Sequence, residues 1–196
     1  MNNTPKTQAS GKRKIIGITG TLGAGKGTIV DYLVQQKGFS HYSVRSFLVE
    51  EISRRGLTVN RDSMTSVANE LRASHSPSYI TDQLYLQAAE NQQSCIIESI
   101  RTPGEIASLR NRQGFLLLAV DADQHLRYER ITSRKSETDA VDFATFQSNE
   151  AREMHSTDPN HQNLAACIRE ADFVLQNNGN MNDLHAQIEE ILQQIQ

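Results

Sequence analysis

Short apolar runs alternate with amphipathic stretches along most of the chain. Five runs have the length and apolar character of buried strands: residues 14–19 (KIIGIT), 39–44 (FSHYSV), 94–99 (SCIIES), 114–122 (GFLLLAVDA) and 171–178 (ADFVLQNN). Between them, apolar residues recur at the spacing of helices. Strands separated by helices predict an α/β fold, with a five-stranded parallel sheet that carries helices on both faces.

Length and composition favour a single domain. The chain has 196 residues, of which 37% are hydrophobic, and we expect residues 1–13 to form a disordered tail before a domain at 14–196. A net charge of -3 gives no field that would attract nucleic acid, and no apolar stretch approaches a membrane span. We therefore expect a cytoplasmic monomer or homodimer that binds a small molecule, with buried Cys95 and Cys167 and with neither nucleic acid nor a membrane as partner.

The loop after the first strand, GTLGAGKGT at residues 20–28, has the composition of a phosphate-binding P-loop. Its glycines let the backbone turn N–H groups inward, the next helix adds its positive end, and the lysine supplies a mobile charge. Where a plain P-loop has a serine or threonine for Mg²⁺, this chain has Gly27. The predicted ATP ligands in this loop are Gly20, Gly23, Ala24, Gly25, Lys26, Gly27 and Thr28.

This loop closely resembles that of the nucleoside monophosphate kinases, the adenylate kinase-like family of P-loop NTPases. The resemblance implies ATP and Mg²⁺ as cofactors, with the metal held mainly by phosphates and water. It also makes Thr28, one place after the usual hydroxyl, a nucleotide ligand and a candidate metal contact. Dephospho-coenzyme A kinase has a related plan.

The same family resemblance extends to the ends of later strands. In IIESIR, Glu98 would orient the water shell of the metal and Arg101 would reach the phosphates, although a strand-end carboxylate can also cap a neighbouring helix. The turn at Asn178 would border the adenine of the donor.

The segment LRYERITSRK resembles the helix that begins the lid of those kinases. Arg130 and Arg134 lie four residues apart on one helix face and would neutralise the transferring charge. A solvated face paired with Glu129 and Glu137 is the alternative. The lid segment would follow at about residues 135–161, and we expect it to be helical, with Phe143 and Phe146 packed inward and no metal bound.

The acceptor site is predicted after the second strand, where the segment from 45 to 72 is basic. Arg45, Arg72 and Arg101 are the candidate acceptor ligands; alternatively, some arginines of this segment are surface charges paired with Glu50, Glu51 and Glu70. The family's usual aspartate is replaced by Ser46, and the base of dephospho-coenzyme A kinase has no equivalent between residues 39 and 53.

These observations predict an enzyme that transfers phosphate from ATP to a nucleotide or nucleotide-like acceptor. The predicted catalytic residues are Lys26, Arg101, Arg130 and Arg134, which act by positioning and charge neutralisation. A dephospho-coenzyme A kinase-like enzyme and a catalytically quiet ATP-binding regulatory module remain as alternatives.

Overall fold

A five-stranded parallel sheet forms the centre of the computed structural model, which describes residues 13–134 and 141–195. The strands are β1 (Ile15–Gly20), β2 (Ser40–Ser43), β3 (Cys95–Glu98), β4 (Phe115–Asp121) and β5 (Phe173–Gln176), in the order β2-β3-β1-β4-β5. The predicted α/β fold is therefore confirmed. The predicted tail, except Arg13, and the first part of the predicted lid, residues 135–140, lie outside the described residues.

The described part of the chain contains nine helices. They are α1 (Lys26–Lys37), α2 (Val44–Arg54), α3 (Arg61–Ser74), α4 (Tyr79–Asn91), α5 (Pro103–Arg110), α6 (Gln124–Ser133), α7 (Phe143–Met154), α8 (Leu164–Arg169) and α9 (Met181–Gln194). Their starts follow local sequence signals: Asn60, Thr102 and Asn180 each form a reciprocal capping box with the residue three places on.

Helices cover both faces of the sheet, and each face has its own hydrophobic cluster. Ile15 of β1 belongs to the cluster beneath α2 to α5, whereas Ile16 and Ile18 belong to the cluster beneath α1 and α9. All six residues of β1 are buried, which explains its continuous apolar run. In such a sheet the ligand site is expected at the carboxyl ends of the strands, beside β1.

The cysteines and the described part of the predicted lid have defined places in the fold. Cys95 and Cys167 are buried free thiols, as predicted. The described part of the predicted lid contains α7, in which Phe146 is fully buried while Phe143 is half-buried and stacks on His125. Among the described helices, none has both the length and the apolar character needed to cross a membrane.

Candidate functional site

The loop between β1 and α1 packs closely against two other parts of the chain, strand β4 and the turn at Asn177. Gly20 has a φ of 139°, and a Cβ placed there would lie 2.1 Å from the carbonyl oxygen of Val120 in β4. Gly25 has a φ of 106°, and its Cβ would lie 2.2 Å from the amide nitrogen of Asn177. That same amide donates to the carbonyl oxygen of Ala24 at 2.8 Å. Only glycine fits at positions 20 and 25, so the loop has its shape before any ligand arrives.

Lys26 begins α1 and points back across the loop. Its Nζ donates to the carbonyl oxygens of Gly20, at 2.8 Å, and Thr21, at 2.9 Å. Burial, together with the nearby charge of Arg101, lowers the pKa of Lys26 to about 8. No side chain caps the start of α1, so its first N–H groups are also available to an anion. The loop can therefore bind phosphate oxygens with both backbone and ammonium donors.

The position after the lysine is sterically open. A Cβ at Gly27 would meet nothing within 4 Å, and the residue is exposed. Packing within the described protein therefore does not require glycine here, in contrast to positions 20 and 25.

Glu98 ends β3 beside the loop and is held by neighbouring side chains. Ser99 donates to Oε1 at 2.7 Å, Ser43 donates to Oε2 at 3.2 Å, and Nε2 of His41 lies 3.7 Å from Oε2. Burial acts to raise the pKa of Glu98, but the contact with His41, the hydrogen bond from Ser99 and the charge of Lys26 outweigh it and lower the pKa to about 2. The carboxylate is therefore ionised. Ser43 is the N-cap residue of α2, so Glu98 contacts this cap through the hydroxyl group of Ser43.

A first cavity of about 410 Å³ opens beside Lys26, between the loop and helices α2 and α3. Its wall combines apolar side chains of these two helices with several arginines and two carboxylates. Its lining includes Lys26, Val44, Arg45, Leu48, Arg61, Met64, Ala68, Arg72, Glu98, Arg101, Arg134 and Glu153. All three predicted acceptor ligands, Arg45, Arg72 and Arg101, are in this set.

The two acceptor candidates of the basic segment have different environments. Arg45 is exposed, with Nη1 3.4 Å from the sulfur of Met64. Arg72 is buried, and its Nε and Nη2 donate to Oε1 of Glu105 at 3.2 and 2.9 Å. The Nη1 atom of Arg72 is buried without a hydrogen-bond partner. Arg72 lines the cavity and has one N–H group without a partner, so it is suited to donate a hydrogen bond to an oxygen of a bound ligand.

Arg101 is held by acidic groups from two other elements. Its backbone N–H donates to Oε2 of Glu105 at 2.7 Å, and its Nη1 donates to Glu153 of α7 and, at 2.9 Å, to Gln162. Glu153 also accepts from Nη1 of Arg61 at 3.1 Å. Glu153 and Gln162 were not predicted, because their partner Arg101 lies 52 and 61 residues away along the chain. Glu105 lies in a local signal, the capping box with Thr102, but its pairing with Arg72 spans 33 residues.

A second cavity of about 460 Å³ lies on the other side of the loop, between α1, α6 and the turn after β5. Its lining is Gly25, Thr28, Leu126, Glu129, Arg130, Ser133, Arg134, Asn177, Gly179, Met181 and Leu184. The predicted turn is present, and its residues Asn177 and Gly179 line the cavity, while contact of Asn178 with a nucleotide stays a prediction. The side chain of Asn178 accepts a hydrogen bond from the backbone N–H of Asp123, the N-cap residue of α6, at 2.7 Å.

The three arginines in and directly after α6 have different environments. Arg127 is buried and paired with Glu150 and with Asp121, 3.6 Å away, so it holds α6 and α7 together. Arg130 lines the second cavity, and its Nη1 is buried without a hydrogen-bond partner. Arg134 is exposed and lines both cavities. Burial and the charge of Arg134 lower the pKa of Arg130, because both disfavour its charged form.

The two predicted metal contacts line different cavities. Thr28 lines the second cavity and Glu98 the first. Within residues 13–134 and 141–195, no cluster of three or more His, Cys, Asp or Glu side chains could hold a metal. These residues fit a Mg²⁺ ion that enters with phosphates and keeps most of its waters, with the ionised Glu98 as a partner for that water shell.

A glycine-rich loop that joins the central β1 of this parallel sheet to α1 defines a P-loop NTPase. Residues 16–158 match the family model described as AAA domain, and the chain belongs to this family. It is 28% identical over 186 residues to a UPF0200 protein of Methanococcus maripaludis strain C7, covering 93% of this chain and 97% of that protein.

Solved structures share the fold at low sequence identity. TT1252 from Thermus thermophilus superposes with a TM-score of 0.64 at 16% identity, covering 95% of this chain and all of its own. Shikimate kinase from Bacteroides thetaiotaomicron gives a TM-score of 0.57 at 11% identity, covering 92% and 98%. These similarities establish a P-loop kinase-like fold, whereas the closer relation to nucleoside monophosphate kinases stays a prediction.

Proposed function

We propose that the protein is an ATP-dependent kinase that phosphorylates a nucleotide or nucleotide-like acceptor bearing a phosphate. The observation that supports this most is the pair of cavities on opposite sides of one P-loop. They share Gly25 and Arg134 but differ in the rest of their linings. A kinase needs such an arrangement, because two substrates must bring their reacting groups together at the phosphate-binding loop.

The second cavity suits the donor. A triphosphate in the loop would receive Lys26 and the N–H groups of α1 on its β- and γ-phosphates, while its base would extend towards Asn177 and Gly179. Arg130 would contribute its unpartnered donor to the phosphates. Thr28 stands at the start of this path, which fits its predicted role as a nucleotide ligand.

The first cavity suits the acceptor. Its volume is that of a small-molecule site, and its wall has both an apolar and a basic part. Val44, Leu48 and Met64 would contact a flat apolar group such as a base. The arginines that line the same cavity would bind a phosphate.

The reaction that this geometry supports is an in-line displacement. An acceptor oxygen forms a bond to the γ-phosphorus, the bond from that phosphorus to the bridging oxygen breaks, and ADP leaves. Lys26, Arg101, Arg130 and Arg134 would neutralise the charge on the transferring group. Bound Mg²⁺ would neutralise further phosphate charge, with Glu98 orienting its water.

The test is ATP consumption across a panel of ribo- and deoxynucleoside monophosphates and dephospho-coenzyme A. We expect ADP release that depends on one acceptor class and is lost in Lys26→Ala. Lys37→Ala is the matched control, because Lys37 ends the same helix and pairs with Glu189 at the surface. Acceptor-independent ATP hydrolysis, or full activity in Lys26→Ala, would contradict the proposal.

A catalytically quiet ATP-binding module is a second candidate. It is favoured by the side chain of Glu153, which reaches into the acceptor cavity and pairs with two of its arginines. Tight ATP binding with no ADP release for any acceptor in the panel would support this candidate over the kinase.

A further inference from the structure

Helix α7 places one carboxylate inside the first cavity. Glu153 is only 6% exposed, and each of its oxygens accepts a hydrogen bond from an arginine that also lines the cavity. Oε1 accepts from Arg61, which begins α3, and Oε2 accepts from Arg101, which follows β3. The carboxylate thus links three elements at the wall of a site that contains Lys26.

The protonation state of Glu153 makes it an anion within this cavity. Burial acts to raise its pKa, but the charges of Arg101, Arg61 and Lys26 outweigh burial and lower the pKa below its ordinary value. A carboxylate that bridges two guanidinium groups presents the same hydrogen-bonding pattern as two oxygens of a phosphate.

We propose that Glu153 occupies the position of the acceptor's phosphate and is displaced by it, so that it selects for a phosphate monoester. A monoester dianion brings more charge and more acceptor oxygens to Arg61 and Arg101 than the carboxylate offers. A carboxylate ligand has no such advantage, and a neutral nucleoside cannot replace the lost charge. That the displacing phosphate belongs to a phosphoryl acceptor rests on the proposed kinase function, but the exchange of anions can be measured without it.

The rest of α7 is anchored, so the exchange can be local. Phe146 is fully buried, and Glu150 pairs with the buried Arg127. Beyond Glu153, the helix ends at Met154. The neighbouring contact of Arg152 with Asp62, at 3.4 Å, involves two exposed side chains and adds little. Displacement of Glu153 therefore requires movement of the last turn of α7 only.

The experiment is calorimetric titration of the full chain, without ATP, using inorganic phosphate, AMP and adenosine. We expect Glu153→Gln to bind inorganic phosphate and AMP roughly tenfold to a hundredfold more tightly than wild type, because the neutral amide competes less well than the carboxylate for Arg61 and Arg101. Adenosine should show no gain. Glu150→Gln is the matched control, because it alters a second arginine-paired glutamate of α7 that does not line the first cavity.

Equal or weaker phosphate binding by folded Glu153→Gln would overturn the proposal. A measurement on wild type gives a second test that needs no variant. Inorganic phosphate should speed amide hydrogen exchange in the last turn of α7 but not around Phe146, and unchanged exchange at saturating phosphate would also overturn it. A gain in phosphate affinity with no kinase activity towards any acceptor would refute the kinase assignment and leave the anion exchange standing.

Discussion

Removal of the Glu105 carboxylate should destabilise the fold strongly, because this group is fully buried and joins two parts of the acceptor side. Its Oε1 accepts twice from the guanidinium group of Arg72. Its Oε2 accepts from the backbone N–H groups of Arg101, at 2.7 Å, and Thr102, at 3.1 Å. The perturbation is Glu105→Ala, which removes all four contacts at once.

The magnitude follows from the burial of both partners. The side chains of Arg72 and Glu105 are 1% and 0% exposed, so truncation of the acid leaves a buried cation without its counter-charge. Loss of one partner of such a pair costs about 3–5 kcal/mol. Each backbone N–H left without an acceptor adds about 1–3 kcal/mol unless water replaces the carboxylate. We therefore expect a loss of about 3–5 kcal/mol or more, a large part of a total stability of about 5–15 kcal/mol.

The assay is urea unfolding of the wild type, Glu105→Ala, Glu105→Gln and the double variant Arg72→Met/Glu105→Gln. Glu105→Gln keeps an oxygen for the backbone N–H groups but leaves Arg72 without a counter-charge. The double variant also removes that charge and should be more stable than Glu105→Gln alone. A loss below about 1 kcal/mol in Glu105→Ala would refute the reasoning, since it would mean that water or another group replaces the carboxylate. A double variant no more stable than Glu105→Gln would refute it equally.

Further predictions concern the P-loop and its ligands. Gly25→Ala should abolish ATP binding in calorimetry, because its Cβ would clash with Asn177, whereas Gly27→Ser should keep the wild-type melting temperature because position 27 is open. Since Lys26 has a pKa of about 8, ATP affinity should be flat below that pH and fall about tenfold per pH unit above it; Lys26→Met should show no such dependence. Between about pH 8 and 10.5 the unfolded chain binds more protons at Lys26 than the folded chain does, so this residue should make ligand-free stability rise with pH in urea titrations. Acceptor affinity should weaken as ionic strength rises, and a salt-independent KM would contradict an arginine-lined phosphate site.

The sheet and the loop could be predicted from the sequence because each depends on short-range patterns. All residues of β1 are buried, so its apolar run is continuous, and the glycines at 20 and 25 stand where the backbone needs them. The predicted lid segment was expected to be helical, and α7 forms part of it, with Phe146 packed inward as predicted and Phe143 half-buried. Such features are local, because hydrophobic spacing and backbone conformation are properties of a few consecutive residues.

The pairing of charges could not be predicted in the same way. The basic segment from 45 to 72 allowed either surface pairs or acceptor ligands, and the structure divides it. Arg54 and Arg55 form surface pairs with Glu51, as one alternative expected. Arg72 faces the cavity, but its partner Glu105 lies 33 residues away. Nothing in the local sequence distinguishes these arginines, because only the tertiary fold decides which carboxylate each one meets.

Glu105 and Glu153, which both pair with arginines of the proposed acceptor cavity, differ in a way that constrains the acceptor. Glu105 holds backbone N–H groups of Arg101 and Thr102 as well as Arg72, so its removal from this position would dismantle the start of α5. Glu153 holds side chains only, and it comes from the last turn of a helix. Of these two, only Glu153 can move away without breaking hydrogen bonds to backbone N–H groups. Its departure, however, removes the main counter-charge of Arg101, a half-buried cation whose side chain is only 20% exposed. An acceptor that enters this cavity must therefore bring a negative charge of its own, which favours nucleotides over nucleosides and phosphorylated over unphosphorylated acceptors.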